Sequence, residues 1–362
     1  MKRPLKIGIF TRPIDQGTSG SGFHLLEILN HLLDLDHGNE YVLIHAEHNE
    51  MPIYRRCREL IVPRNLLKAT CILRAERFDI LHYNPLTILA PIWFTRARSV
   101  ATIHGASILF LPAQFSLIKR LHANLVVPFL ARRMDAVVTV SRTSAAFIAE
   151  RYKVDASRLR VCLNAVKPEY RPAEIAPASA DTSRVPTILH ISKFSERKNP
   201  WTLLEAFART AATIPDARLV VVGSGWKNPA VMDWLRNRSL SDKVDFPGFI
   251  SEAEKIRLLQ TAHLFVFPSL YEGFGMPNLE AMACACPVVT SSVFAIPEVV
   301  ADAAVLVKDP RDTAELAAKM QEVLTNPVLR NRLVKRGLER VKDFSWESSA
   351  ATLKSLYEEL CG

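Results

Sequence analysis

The chain has 362 residues, 49% hydrophobic and 23% charged, which is longer than one hydrophobic core usually serves, so two domains are expected. No apolar run reaches the ~20 residues needed to cross a bilayer, and six cysteines in this length do not make a disulfide framework. The whole formal charge of +9 lies in residues 1–180, which hold 24 Lys and Arg against 15 Asp and Glu. That half either meets an anionic partner (a phospholipid surface, a lipid pyrophosphate or nucleic acid) or simply carries solvated cations.

Met1-Lys2-Arg3-Pro4-Leu5 has the charge of a signal-peptide head, but the apolar run Ile7 to Phe10 behind it is too short and reads as a first strand. Gly17-Thr18-Ser19-Gly20-Ser21-Gly22 follows, and then an amphipathic helix with Phe23, Leu25, Leu26, Ile28, Leu29, Leu32 and Leu33 on one face. Strand, glycine loop and helix suit an anion, although the loop is neither G-x-G-x-x-G nor a P-loop. Asp34-Leu35-Asp36 resembles a metal motif, yet at the polar end of that helix it reads as a fraying surface turn.

Further strands are expected over Tyr41 to His45, Ile80 to His82 and Val100 to Ile103, with Arg55-Arg56-Cys57-Arg58 as basic surface. The last of these strands delivers His104-Gly105 at its carboxyl end, where parallel sheets place their chemistry; His104 is either a packing histidine or faces a cleft. Pro85 to Phe94, before Thr95-Arg96-Ala97-Arg98, and Ile108 to Ile118, before Lys119-Arg120, read as core helices with charged ends or as interfacial elements on an anionic membrane. Ala136 to Val140 is a strand, Ser141 caps a helix to about Tyr152, and Arg160 to Leu163 is a last short strand. Four prolines within Lys167 to Pro186 mark a linker.

The alternation then restarts. Strands are expected over Thr187 to Ile191, Arg218 to Val222, Val244 to Phe246, Leu264 to Phe267 and Pro287 to Thr290, separated by helices, so a second parallel sheet follows the first. The boundaries are 1–170 for the first domain, 171–186 for the linker, 187–343 for the second domain, and 344–362 for a final helix. Cys284 and Cys286, without a second pair, read as buried thiols rather than metal ligands.

Ser269-Leu270-Tyr271-Glu272-Gly273-Phe274-Gly275-Met276-Pro277-Asn278-Leu279-Glu280 joins a strand to a helix, with proline in the first turn. The loop aims backbone N–H groups of Phe274, Gly275 and Met276 at an anion, while Glu272 and Glu280 can accept from sugar hydroxyls. Lys193 and Lys198, five apart on a loop, can both reach one diphosphate. Fixed cations and N–H dipoles of this kind can stabilise a leaving diphosphate without a metal.

On these residues the chain resembles the family-4 retaining glycosyltransferases. The resemblance runs along nearly the whole length and is carried by Glu272-x7-Glu280, Lys193 with Lys198 and Asn199, Gly223-x-Gly225, Pro297-Glu298-Val299 and Phe344-Ser345-Trp346-Glu347. It implies an α/β chain of GT-B fold, two Rossmann-like doubly wound parallel-sheet domains with an interdomain cleft, and a final helix crossing back to the first domain. It further implies that Lys193 and Lys198 bind the diphosphate and Glu280 the ribose. Glu272, with the backbone of Phe274, Gly275 and Met276, would hold the transferred sugar and phosphate. The backbone near Phe249 and Ile250 would meet the base, Gly20 the phosphate and acceptor, and His104 the sugar.

No metal or other cofactor is implied. Retention would follow from attack by the acceptor hydroxyl on the face the diphosphate leaves, with a covalent Glu272 intermediate as the competing route. The chain departs from the family pattern at Ala285-Cys286, where glycine is usual, and at Ser291 to Ala295. The expected partners are a nucleotide sugar (GDP-mannose ahead of UDP-sugars, on resemblance alone), a glycan or lipid-linked glycan acceptor, and an anionic membrane surface. The expected place is the cytoplasm or the inner face of its membrane. A nucleotide-sugar epimerase or a synthase with a soluble acceptor is the rival of the same shape. A basic nucleic-acid-binding module is the rival of another class, disfavoured because Glu272 and Glu280 would then face an anion.

Overall fold

The computed structural model describes residues 3–15, 20–86, 95–174 and 185–362. Two units emerge, one of residues 1–164 with 345–362, the other of 165–344. Each is built on a wholly parallel sheet with helices on its faces. Strands in such sheets are covered on both sides, which is why they read as unbroken apolar runs rather than alternating ones.

The sheet of the first unit contains β1 (Lys6–Phe10), β2 (Glu40–His45), β3 (Arg58–Ile61), β4 (Ile80–Tyr83), β5 (Arg98–Thr102), β6 (Ala136–Thr139) and β7 (Leu159–Val161). Their spatial order is β3-β2-β1-β4-β5-β6-β7. The chain therefore steps outward from β1 through β2 to β3, then returns to lay β4 on the other side of β1, pairing Ile7 with Ile80 and Ile9 with His82. The helix Gly20–Leu35 buries Leu25, Ile28, Leu29 and Leu32, as its periodicity demands.

The helix Trp346–Cys361 belongs to this unit and is capped by Ser345, whose side chain accepts from Ser348 N. It is tied down by Ser349 Oγ donating to Leu163 O at 2.7 Å and by Arg160 bonding Glu359 at 2.7 Å. Gly8 lets Ile44 and Leu81 close in: a Cβ there would lie 2.7 Å from Ile44 Cδ1 and 2.8 Å from Leu81 Cδ2, so those side-chain ends would have to shift to admit one.

The second unit holds β8 (Thr187–Ile191), β9 (Arg218–Val222), β10 (Val244–Gly248), β11 (Leu264–Phe267), β12 (Val288–Ser291) and β13 (Val305–Val307), in the order β10-β9-β8-β11-β12-β13. The pattern repeats: outward from β8 to β10, then back to place β11 beside β8, with Leu264 opposite Ile188. Leu203, Phe207, Leu219, Val221, Leu316 and Met320 are among the residues packed in the core on one face. The other face buries Phe265, Phe267, Ala281, Met282 and Ile296.

The structure differs from the sequence expectations in several places. Arg55, Arg56 and Arg58 are exposed basic surface as expected, but Arg58 also opens edge strand β3, which was not foreseen, and pairs with Glu76, while Arg56 pairs with Asp34. Asp36 is buried rather than on a fraying turn: it accepts from Tyr41 Oη at 2.6 Å, Asn39 Nδ2 at 2.7 Å and Gly38 N at 3.0 Å. Tyr170, placed by sequence in the first domain, packs in the second unit's core, and Gln260 Nε2 donates to Arg171 O at 2.8 Å. Linker residues 175–184, the glycine-loop residues 16–19 and the apolar run at 87–94 lie outside the described residues.

Candidate active site

In an open parallel sheet the crevice forms where successive connections leave in opposite directions, at the carboxyl ends of the strands. In the second unit that point falls between β8 and β11. The loops leaving these strands are residues 192–199 and 268–275, the same two that carry Lys193, Lys198 and Glu272.

The first loop is held from beneath. His190, at the end of β8, is buried, with Nδ1 2.8 Å from Val266 O and Nε2 2.7 Å from Ser192 Oγ. Burial drives its pKa down to about 4, against the pull of the Val266 carbonyl, so the ring is neutral. Trp226 Nε1 donates to Ser192 O at 2.7 Å, and Phe194 N donates to Ser224 O at 2.9 Å. The Gly223-Ser224-Gly225 turn presses directly on this loop. A Cβ on Gly223 would sit 2.2 Å from Ser192 O, and Gly223 has φ +130°, so glycine is the residue that fits.

Glu272 is buried and receives two cations on one oxygen. Arg197 Nη1 and Lys198 Nζ each lie 2.6 Å from its Oε1, and Arg197 also donates to Tyr271 O at 3.1 Å. Burial alone would raise the carboxyl pKa; the charges of Lys198 and Arg197 outweigh it and hold Glu272 ionised, below the usual carboxylate range. Burial pulls the Lys198 ammonium below its ordinary value, opposed by the charge of Glu272. Leu270 N donates to Arg197 O at 2.8 Å, and Asn199 Nδ2 donates to Pro268 O at 3.1 Å, so backbone and side chains staple the two loops together.

The helix Met276–Ala283 starts from Gly275, whose φ of +97° turns the chain into the first helical turn. Phe274, Gly275 and Met276 thus stand at a helix N-terminus, where the first N–H groups have no intrahelical acceptor. Glu280, on the next turn, is buried and bonded through Oε1 to Lys255 Nζ at 2.8 Å. Lys255 comes from the helix Glu252–Thr261, which follows β10 and the Phe249-Ile250 segment; Phe249 is 82% exposed and Ile250 half-buried. Lys193 is exposed at the mouth of its loop. Asn278, fully buried behind Gly275, has neither side-chain polar atom hydrogen-bonded.

The first unit has its own switch point, between β1 and β4. A cavity of about 580 Å³ opens there, lined by Phe10, Asp15, His45, Arg64, Tyr83 and Asn84 among others. Phe10 and Tyr83 stack at 5.0 Å, and buried Asn84 turns an unpaired Nδ2 to its surroundings. Just past β5, the strand beside β4, His104 is half-buried, with Nε2 3.3 Å from Asn84 Oδ1 and its ring 5.0 Å from that of His24.

His24 comes from the helix that Gly20 begins; Gly20 is exposed and a Cβ there would meet nothing within 4 Å. His24 Nδ1 lies 2.7 Å from Asn164 Oδ1, while His82 bridges Tyr357 Oη at 2.6 Å and Thr102 Oγ1 at 2.7 Å. Burial lowers His24 to about 4, partly offset by Asn164, and lowers His82 to about 3, aided by His24. His104 is driven well below its ordinary value by burial and then by His24 and His82.

Sequence reasoning missed Arg197, Lys255 and this histidine network. Arg197 stood beside Lys198 in the same basic loop, and its neighbour was the only hint. Lys255 and Tyr357 are brought to Glu280 and His82 by tertiary packing alone. The C-x-C pair is buried with free thiols, and burial raises Cys284 to about 12.

Two parallel doubly wound units, one with paired cations and carboxylates at its switch point, define an enzyme of the GT-B glycosyltransferase class. The family described as Glycosyltransferase Family 4 matches residues 18–170, and that described as Glycosyl transferases group 1 matches residues 173–340. The chain belongs to these family-4, group 1 glycosyltransferases. It is 27% identical to the O-antigen chain mannosyltransferase B of Escherichia coli, covering 98% of this chain and 100% of that protein. It is 34% identical to the MMP alpha-(1->4)-mannosyltransferase of Mycolicibacterium hassiacum over 64% of this chain and 55% of that one.

Among solved structures, sucrose-phosphate synthase from Thermosynechococcus elongatus superposes with a TM-score of 0.77 at 22% identity, covering 98% of this chain and 99% of the other. HepE of Anabaena, in complex with UDP and glucose, gives 0.76 at 17% identity, covering 97% of this chain and 98% of the other. These likenesses speak for the fold.

Proposed function

We propose that the enzyme moves a hexose, mannose first among candidates, from a nucleoside-diphosphate sugar to a hydroxyl of a growing surface polysaccharide. The observation that carries this is the pairing of Arg197 and Lys198 with Glu272 at the β8–β11 switch point, beside the helix N-terminus at Gly275. Fixed cations there can take the charge that develops on a departing diphosphate, with Lys193 reaching in from the loop mouth. Under this reading no metal is needed. The mannosyltransferase relatives support mannose; GDP ahead of UDP rests on the family resemblance alone, and the Anabaena protein of like fold holds UDP.

Glu280 is the acceptor for the ribose hydroxyls, and the Phe249-Ile250 backbone lies against the base. Glu272 positions the sugar rather than attacking it. A carboxylate with two cations on one oxygen is a poor nucleophile, which favours retention by same-face attack, the leaving phosphate taking the acceptor's proton. The neutral His104 ring, with Nε2–H donating to Asn84, leaves Nδ1 as an acceptor toward a sugar hydroxyl. The cavity of the first unit, with an aromatic pair and an unpaired amide, suits a saccharide acceptor, carried on a lipid at the anionic inner face of the cytoplasmic membrane.

A thermal-shift series of GDP, UDP and ADP, each with and without EDTA, tests the donor. Stabilisation by GDP that survives EDTA is expected; stabilisation by none of the three overturns the donor site. An inverted anomer in the product overturns retention.

A further inference from the structure

From Ile80 to Met134 the sequence contains no Asp or Glu, while Arg96, Arg98, Lys119, Arg120, Arg132 and Arg133 all fall within it. Inside this acid-free stretch, residues 117–131 form one helical rod. It comprises an α turn over Leu117–Leu121, a π turn over His122–Val126 and an α turn over Val127–Ala131. Ala123, Leu130 and Ala131 face inward. Leu117, Ile118, Leu121 and Leu125 face solvent, 65, 80, 50 and 64% exposed.

A four-residue step along a regular helix carries a stripe about 40° around the axis. The π turn, whose bonds run i to i+5, counters that drift and keeps Leu121 and Leu125 on one side. Single exposed leucines are ordinary, but four neighbours on one rod are not.

The cations sit around this stripe. Lys119 and Arg120 are exposed and form no ion pair among the described residues. Arg132 and Arg133 are exposed at the far end, held beside the rod by Tyr152 O and Phe129 O. Basic side chains can lay apolar stems along a lipid boundary while their heads stay with phosphates. No described helix is long and apolar enough to cross a membrane, so this element would lie on a bilayer rather than span it.

We propose that the rod 117–131, with Arg132 and Arg133 at its end, docks the enzyme on an anionic phospholipid surface. Leu117, Ile118, Leu121 and Leu125 enter the headgroup–acyl boundary, and Lys119, Arg120, Arg132 and Arg133 engage lipid phosphates. The proposal gives residues to the membrane part of the function above and rests on that reading only for why a membrane is visited. Charge decides among occupants. Two copies pairing this face would set four cations against four, with no carboxylate in the stretch to separate them. A nucleic-acid backbone would leave the leucines unused.

Flotation of the full chain with phosphatidylcholine vesicles, alone and mixed with phosphatidylglycerol, tests it. The wild type is expected to float with the mixed vesicles and not with the neutral ones. Leu121→Glu with Leu125→Glu is expected to cut that binding at least tenfold. Lys119→Glu with Arg120→Glu should weaken its salt-sensitive part.

These positions are exposed, so melting temperature and stabilisation by nucleotide should stay as in the wild type, which separates loss of docking from loss of fold. Equal flotation of the leucine variant, or none by the wild type, overturns the proposal. So does a concentration-dependent dimer that the leucine variant abolishes, because that would assign the stripe to self-association. Vesicle binding without any nucleotide stabilisation would keep the docking face and sink the donor reading instead.

Discussion

Lys198 Nζ lies 2.6 Å from Glu272 Oε1 and 4.3 Å from the centre of the Phe267 ring, so one largely buried ammonium is held by a carboxylate in front and an aromatic face behind. Removing one partner of such a pair leaves a buried charge uncompensated, which costs about 3–5 kcal/mol when nothing else is near. Here Arg197 remains on the same oxygen, so Lys198→Ala is expected to cost about half that in stability. The effect on transfer should be larger. Loss of a fixed charge aimed at the leaving group typically costs about 10²–10³-fold in kcat. Denaturant melts and steady-state rates of the purified variant measure both; unchanged kcat would remove Lys198 from the chemistry.

The bond between Glu280 and Lys255 leads to a second expectation. Glu280→Ala should weaken binding of the nucleoside diphosphate by about 1.5–3 kcal/mol, the range for a hydrogen bond to a charged group, or roughly 10–100-fold. Fold stability should change little, because Glu252 already lies 3.8 Å from Lys255 Nζ and can take over the ammonium. Calorimetric titration with the stabilising nucleotide decides this. Full affinity in the variant would mean that Glu280 serves packing alone.

How much of this was readable beforehand follows from what each feature depends on. The central strands, such as Leu264–Phe267, are legible because burial on both faces writes an unbroken apolar run. Edge strands β3 and β13 escaped notice, since Arg58–Ile61 is half-exposed and Val305–Val307 is three residues long. The loops carrying Glu272 and Lys198 were visible as strand–loop–helix punctuation. Their electrostatics were not, because Arg197 on Glu272 and Lys255 on Glu280 span 75 and 25 positions that only the sheet order brings together. Asp36 was misread because its partner Tyr41 sits beyond a turn, on β2.

Three buried histidines predict how stability responds to pH. His24, His82 and His190 titrate in the folded chain at about 4, about 3 and about 4, against roughly 6.5 when exposed. Below about pH 6.5 the unfolded chain therefore takes up protons that the native one refuses, and stability falls. Above 6.5 these groups contribute no slope. Each costs at most about 1.4 kcal/mol per pH unit on the way down to its folded value. His104, also held well below its ordinary value by burial, adds to the loss between pH 6.5 and 4.5, and the depressed carboxylates add theirs only lower. Urea melts at pH 7.5, 6.0 and 5.0 should show the decline, and His82→Asn should flatten it. Constant stability across that range would contradict neutral burial.

Two backbone positions in the second unit both favour glycine, so opposite exchanges there carry opposite signs. Ala285, just past the helix Met276–Ala283, has φ +60°, a left-handed conformation that costs an L-residue about 1–2 kcal/mol. Glycine loses more freedom on folding, about 0.5–1 kcal/mol relative to alanine. Ala285→Gly is therefore expected to stabilise by up to about 1 kcal/mol and to raise Tm by about 2–4 °C in a unit of this size. At Gly223 the sign reverses. A Cβ there would stand 2.2 Å from the Ser192 carbonyl oxygen, which is backbone and cannot swing away, at a φ of +130°. Gly223→Ala should lower Tm and push the Lys193 loop out of place, so nucleotide binding falls with it. Differential scanning with and without nucleotide reads both variants, and a Gly223→Ala protein that melts and binds like the wild type would show that the turn does not set the loop.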